Sequence, residues 1–444
     1  MKLVHHGAHK GVTGSCHQLF WDDKNSLMVD CGIFQGEDAR KHPNPEIEFS
    51  LRGIQSLLLT HVHIDHVGRV PYLLSAGFKQ PIYCSRPTAK LLPLVMEDAL
   101  RIGFTRSRRL IEKFLKHIDD LLVPLPYHEW HEIEGGPRIR LRPAGHVLGS
   151  TVFEVELPSG ELAVFSGDLG SGSDPILKSP SSPPRADLLV LESTYGDKLH
   201  PPAQDRQSTL ESVVRHSLED QGVTIIPAFS LGRTQALLYE LNRIFERVQQ
   251  TDGQSILKRV DVIVDSPLAS RFTELYISLK DFWSEEAQLV LQTKDQPLVF
   301  ENLTTVGGHR EHRSIVDYLE SSELPAIVIA GSGMCTGGRV VNYLKRFMDD
   351  ERTDIVFVGY QASGTPGQFI SRGSDWVYLQ GKRYNINADV HRISGYSAHA
   401  DQADLLQFVE SMDEKPKQIR LVHGEYQAKK TLAKKLTELG HNVD

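Results

Sequence analysis

Cysteine is scarce in this chain: four occur in 444 residues, at positions 16, 31, 84 and 335, and no two form a Cys-x-x-Cys pair. That scarcity argues against a disulfide framework or a thiolate-held structural zinc, and makes a reducing cytoplasm the expected setting. Long apolar runs are missing as well. No stretch approaches the roughly 18 residues of a membrane span, and the opening Met1-Lys2-Leu3-Val4-His5-His6 lacks the apolar core of a secretory signal, so no membrane partner is expected. Nor is there a basic excess. The net charge of −8 speaks against a cationic nucleic-acid coat, though a metal centre can still supply a local positive field. Internal repeats and low-complexity segments do not occur. With 40% hydrophobic and 24% charged residues the composition is that of a soluble globular protein, and the length suggests two or three domains.

What the chain does have is histidine in a pattern. Thr60-His61-Val62-His63-Ile64-Asp65-His66-Val67-Gly68-Arg69 follows the apolar run Leu57-Leu58-Leu59, which reads as a buried strand ending at Thr60. His61 and His63, two apart, can face one way on an extended strand end. Asp65 and His66 follow where the chain turns. Nitrogen and carboxylate ligands without thiolate favour zinc, with manganese or iron as competitors, and the split orientation suits two adjacent cations better than one. Two further strand ends offer ligands between small residues: His146 in Ala144-Gly145-His146-Val147-Leu148-Gly149 and Asp168 in Ser166-Gly167-Asp168-Leu169-Gly170. Asp30, closing an apolar strand over 26–32, suits an acceptor that orients a metal-bound imidazole, although a plain turn residue is the commoner case.

From 186 to about 358 the texture changes to alternating strands and helices. Strands are predicted at 187–191, 223–227, 260–264, 326–330 and 355–358, giving an α/β domain with a parallel sheet and no ligand cluster of its own. Its strand-to-helix turns are polar and small. Ser230-Leu231-Gly232-Arg233-Thr234, and the run from Gly331 to Arg339 with Gly333, Thr336 and Gly337, can hold phosphates, though such turns also serve as plain connectors. Ligand chemistry returns at Ser397-Ala398-His399-Ala400-Asp401 and at Leu421-Val422-His423-Gly424-Glu425. A ligand-free segment flanked by ligand-bearing ones is how an inserted domain looks in sequence.

These residues match a family. Asp30, His61-Val62-His63-Ile64-Asp65-His66, His146 and Asp168 resemble motifs one to four of the metallo-β-lactamase fold, and Glu192, His399 and His423 resemble motifs A, B and C of the β-CASP nucleases. The resemblance covers nearly the whole chain, with all seven motifs present. It is similar to the bacterial and archaeal relatives of the nuclease subunit of the cleavage and polyadenylation factor. The resemblance implies an αββα sandwich (1–197 and 373–444) interrupted by an α/β β-CASP domain (198–372), with the active site in the cleft between them. It also implies one zinc on His61, His63 and His146, a second on Asp65, His66 and His423, Asp168 bridging both, and a Glu192–His399 pair in which His399 serves as general acid.

The function so implied is a zinc-dependent ribonuclease that hydrolyses phosphodiesters of single-stranded RNA to leave a 5′-phosphate, as an endonuclease, an exonuclease or both. Asp65, Glu192 and His399 are the expected catalytic residues; Ser230, Arg233, Gly333, Thr336 and Gly337 are the expected RNA contacts; a homodimer is admitted. RNA is preferred to DNA because the DNA-repair branch typically has an aliphatic residue where this chain has His423. Two alternatives compete. A small ester or thioester hydrolase needs no long α/β insert, and a catalytically dead RNA-binding scaffold would have lost ligands that this chain retains.

Overall fold

The computed structural model describes residues 1–252, 260–293, 296–322, 324–362 and 364–444. The chain divides into two compact units, one of residues Met1–Leu199 and Ala398–Asp444, the other of His200–Ser397.

The first unit is a sandwich of two six-stranded sheets. One runs in the order Lys2–Gly7, Cys16–Phe20, Ser26–Val29, Ile54–Leu58, Ile82–Ser85, Leu122–Leu125; the other runs Gln418–Val422, Leu188–Glu192, Leu162–Phe165, Thr151–Glu156, Arg138–Pro143, Trp130–Glu132. Strand periodicity explains the layering. Leu188 and Val190 enter the core between the sheets with Leu27, Leu58, Phe153 and Phe165, while Leu189 and Leu191 join an outer core with Leu405, Phe408, Leu432 and Leu436. A strand buried on both faces must be apolar at every position, and Leu188-Leu189-Val190-Leu191 is. The covering helix Gln402–Glu410 starts at a capping box in which the Asp401 side chain accepts from the Asp404 amide and the Asp404 side chain accepts from that of Asp401.

The second unit is built on a six-stranded sheet in which every neighbouring pair is parallel, ordered Leu303–Thr305, Asp261–Asp265, Ala326–Ala330, Val223–Pro227, Asp354–Phe357, Asp389–Arg392. Helix Ala203–Asp220 leads into its first strand, and helices including Arg233–Asp252 and Val340–Phe347 connect later ones, as parallel neighbours require. A hairpin of Trp376–Leu379 and Lys382–Asn385 precedes the last strand.

Two sequence expectations shift here. The strand expected at 187–191 forms as Leu188–Glu192, but it lies in the first unit's sandwich, between Leu162–Phe165 and Gln418–Val422. Return to the first unit, expected after 372, comes at 397/398. The reason is Asp389–Arg392, which hydrogen-bonds to Asp354–Phe357 as the edge strand of the second sheet. Its exposed, polar composition hides it from a search for apolar runs.

Candidate metal centre

Strand direction gathers the candidate ligands of the first unit. Leu162–Phe165, Leu188–Glu192 and Gln418–Val422 are parallel neighbours. Asp168, Glu192 and His423, at or just past their carboxyl ends, therefore stand side by side. In the other sheet Ser26–Val29 and Ile54–Leu58 are also parallel, and bring Asp30 beside residues 60–66. Tight backbone packing holds the two turns together. A Cβ on Gly32 would fall 1.5 Å from the Asp65 carbonyl oxygen, and one on Gly424 would fall 2.4 Å from Ser193 Oγ. His423 itself adopts the left-handed conformation (φ +51°), with its amide donating to the Ala8 carbonyl at 2.7 Å.

One group consists of His61, His63, His146 and Asp168. His63 Nδ1 lies 3.1 Å from His61 Nε2 and 2.9 Å from His146 Nε2, and Asp168 Oδ2 lies 3.5 Å from both Nε2 atoms. A tetrahedral site with metal–nitrogen bonds of about 2.0–2.1 Å has ligand–ligand edges of about 3.3 Å, so these separations have the size of a coordination shell. The protonation states agree. His146 donates from Nδ1 to the Ala398 carbonyl at 3.0 Å, which leaves Nε2 its lone pair. Burial lowers the proton affinity of all three imidazoles, taking His63 down to about 4, and keeps them in the ligating neutral form.

Asp65, His66 and His423 form a second group. His423 Nε2 is 3.9 Å from Asp65 Oδ2 and 3.4 Å from Asp168 Oδ2, and His66 Nε2 is 3.2 Å from Asp168 Oδ1. Asp168 thus faces both groups, with Oδ2 toward His61, His146 and His423 and Oδ1 toward His66. Burial opposes its ionisation, yet the surrounding histidines hold its carboxyl well below the usual range. His66 Nε2 and Asp168 Oδ1 are buried and face each other, with no other hydrogen-bond partner. A cation held among the imidazoles and this carboxylate would offset the cost of burying them. The residues therefore fit a metal.

Behind the ligands, Asp30 Oδ2 accepts from His66 Nδ1 at 2.7 Å, and Asp30 takes both the amide (2.8 Å) and the hydroxyl (2.9 Å) of Thr60. Asp30 is itself left-handed (φ +61°) and fully buried. Thr60, which also lies 3.1 Å from His61 Nδ1, has a role that the sequence reading did not give it. Its position directly before the first ligand was the available signal.

Beside the ligands, His399 Nδ1 lies 3.1 Å and 3.2 Å from the two oxygens of Glu192, whose Oε1 also accepts from the Leu169 amide at 2.6 Å. Glu192 is fully buried, while the His399 side chain is 22% exposed. Burial disfavours the imidazolium, but the carboxylates of Glu192 and Asp168 outweigh it and raise His399 to about 9.

The expected RNA contacts all fall in the second unit, at carboxyl ends of its parallel strands, where open α/β sheets bind ligands. Much of their hydrogen-bonding capacity is turned inward. Ser230 Oγ meets Ser266 Oγ at 3.0 Å, the Gly232 amide donates to the Gln235 side chain, and Ser332 Oγ accepts from the Thr336 amide at 3.2 Å. The guanidinium of Arg233 lies 6.0 Å from the Tyr396 ring centre, within cation–π range. Arg339 is committed within the unit, donating to Asp265 and to the carbonyls of Val306 and Gly307. Gly333 is buried, Gly337 is half-buried and has open space where a Cβ would stand, and Thr336 is exposed.

Comparison with known proteins agrees with this geometry. The sequence matches the metallo-β-lactamase superfamily over residues 18–226, the Beta-Casp domain over 234–370 and the Zn-dependent metallo-hydrolase RNA specificity domain over 383–444. It is 36% identical to Ribonuclease TTHA0252 of Thermus thermophilus over 446 aligned residues, which cover 100% of this chain and 97% of that one. The chain belongs to the metallo-β-lactamase-fold β-CASP ribonuclease family. It is also 30% identical to the Transcription termination factor FttA of Methanocaldococcus jannaschii, of which it spans 66% of the length, with 94% of this chain aligned. A solved structure of a protein of unknown function from Enterococcus faecalis shares the fold, with a TM-score of 0.55 at 14% identity over 95% of this chain and 93% of that one. As a β-CASP family member this protein is a metal-dependent hydrolase that carries an RNA specificity domain. Among its described residues no helix is long and apolar enough to cross a membrane.

Proposed function

We propose that this β-CASP enzyme hydrolyses internal phosphodiester bonds of single-stranded RNA, leaving a 5′-phosphate, with two zinc ions held per chain. The observation that carries the reading is Asp168, whose two oxygens lie 3.2–3.5 Å from the nitrogens of four imidazoles in two separate groups. His61, His63 and His146 would hold one ion; Asp65, His66 and His423 the other; Asp168 both. Zinc is favoured by a nitrogen-rich, thiolate-free set at tetrahedral spacing. Such a pair of ions supplies Lewis-acid charge to the scissile phosphate and an activated water at neutral pH.

The remaining work falls to side chains. Asp30 and Thr60 fix the orientation of His66 and His61. Asp65, at the open side of its group and less buried than His66, is placed to accept the proton of the attacking water. Glu192 holds His399 by Nδ1, which leaves Nε2 to give a proton to the departing ribose oxygen. In the second unit Arg233, with Ser230 and the turn bearing Gly333, Thr336 and Gly337, would bind RNA phosphates.

The class of reaction is tested by incubating the zinc-loaded enzyme with labelled single-stranded RNA, duplex DNA and a generic thioester. Cleavage of RNA alone is expected; preferential thioester hydrolysis, or inertness toward all three, would replace this reading. A circular RNA should also be opened, since only internal cleavage can act on it. For the backbone contacts, Arg233→Ala should weaken RNA affinity and reduce the slope of log affinity against log salt by about one unit. If neither changes, the turn is only a connector.

A further inference from the structure

A second cluster of metal-ligating side chains lies in the second unit, at the amino-terminal end of its parallel sheet. Asp354 and Asp389 each open their strands and are direct partners in register. Like charges placed opposite each other on neighbouring strands are destabilising unless something neutralises them. Asp354 is wholly buried, whereas Asp389 is exposed. Two imidazoles approach the pair. His216, from helix Ala203–Asp220, puts Nδ1 3.1 Å from Asp354 Oδ2; His391, two residues beyond Asp389, puts Nε2 2.6 Å from Asp354 Oδ1. Ser217 donates to Asp354 Oδ2 at 3.2 Å.

We infer that His216, Asp354 and Asp389 form a site for a divalent transition metal, zinc above all, distinct from the Asp168 centre. The ligand atoms of the three lie within 4.8 Å of one another. The 3.1 Å edge between His216 Nδ1 and Asp354 Oδ2 has the length found between ligands of a tetrahedral zinc. His391 and Ser217 play the supporting part: by fixing the Asp354 carboxylate they aim Oδ2 at His216, as hydrogen-bonded groups behind a ligand do. Access is open, because the His216 side chain is 44% exposed and Asp389 lies at the surface. One nitrogen and two carboxylates leave at least one position to water. A cation here joins helix Ala203–Asp220, strand Asp354–Phe357 and the edge strand Asp389–Arg392. It acts as a staple on the only side of that edge strand that has a neighbour among the described residues.

The test compares zinc retained after gel filtration by the wild type, His216→Ala and Asp389→Asn. Both substitutions remove groups that are at least partly exposed, and neither touches the catalytic centre, so RNA cleavage stays at the wild-type level. The wild type is expected to retain one zinc equivalent more than either variant. Being a difference, that result does not depend on how many ions the Asp168 centre holds. Hydrogen exchange gives the second readout. With zinc at ~100 times its dissociation constant, amides of 389–392 that exchange through detachment of the edge strand should slow by up to about 100-fold in the wild type, and not in the variants. Equal zinc content in all three proteins overturns the site, as does equal zinc protection of 389–392 in all three. The cluster is then an ion-paired network of imidazolium and carboxylate.

Discussion

Asp168→Ala is expected to lose metal from both ligand groups and to reduce RNA hydrolysis by roughly 10³-fold or more, the loss that follows from removing several kcal/mol of transition-state stabilisation. Each of the six other proposed ligands serves one group, and Asp168 faces both. Its carboxylate lies within 3.5 Å of His61, His66, His146 and His423. Without it, two neighbouring cations would repel each other with less negative charge between them, and one ligand would be missing from each group. Asp168→Asn separates charge from shape: it keeps the side chain's size and should still lose metal, because an amide does not offset the charge of two cations. Elemental analysis of both variants, with circular dichroism to confirm the fold, decides the point. Full metal content with wild-type turnover in either variant would remove Asp168 from its bridging role.

The second large effect concerns His399. If it acts as a general acid, His399→Ala should keep its metal and lose roughly 10²–10⁴-fold in rate on ordinary RNA. The departing 3′-oxygen of ribose is a poor leaving group and needs a proton. A 3′-thio linkage departs as the thiolate and needs that proton far less, so it should restore most of the lost rate to the variant. Because zinc binds sulfur well, the quantity to compare is the variant-to-wild-type ratio on each substrate. Glu192→Gln should give a milder form of the same rescue: it leaves the imidazole in place and withdraws the charge that supports its proton. A structural role for His399 makes a different forecast, namely equal losses on both substrates or loss of metal.

The parts of this molecule that can be read from sequence are those written locally. His61, His63, Asp65 and His66 fall within one turn of chain, and His146, Asp168 and His423 each sit beside glycine just beyond a strand. What could not be read is long-range pairing. Leu188–Glu192 looks like the first strand of the inserted sheet because it begins the alternating texture, yet its partners are Leu162–Phe165 on one side and Gln418–Val422 on the other. Parallel pairing leaves no local signature. Likewise Asp389–Arg392 carries one apolar residue in four, and only its register with Asp354–Phe357 makes it a strand. The pairing of Asp354 with Asp389 was invisible for the same reason. Thr60 was overlooked because a threonine before a histidine-rich turn has no chemistry of its own until the Asp30 carboxylate is brought to it.

The strand order of the sandwich carries a consequence for the birth of the enzyme. Gln418–Val422 completes its sheet by lying beside Leu188–Glu192, and it delivers His423. The ribosome makes this strand only after the whole of the second unit. A nascent chain that has already exposed His61, His63, His146 and Asp168 still lacks a proposed ligand of the second group, and until residue 399 has emerged it lacks His399 as well. Since domains fold as units while synthesis proceeds, the proposed centre cannot be complete before residue 423 has been made. The messenger from which it is read, the nearest RNA of all, is out of danger until residue 423 has been made.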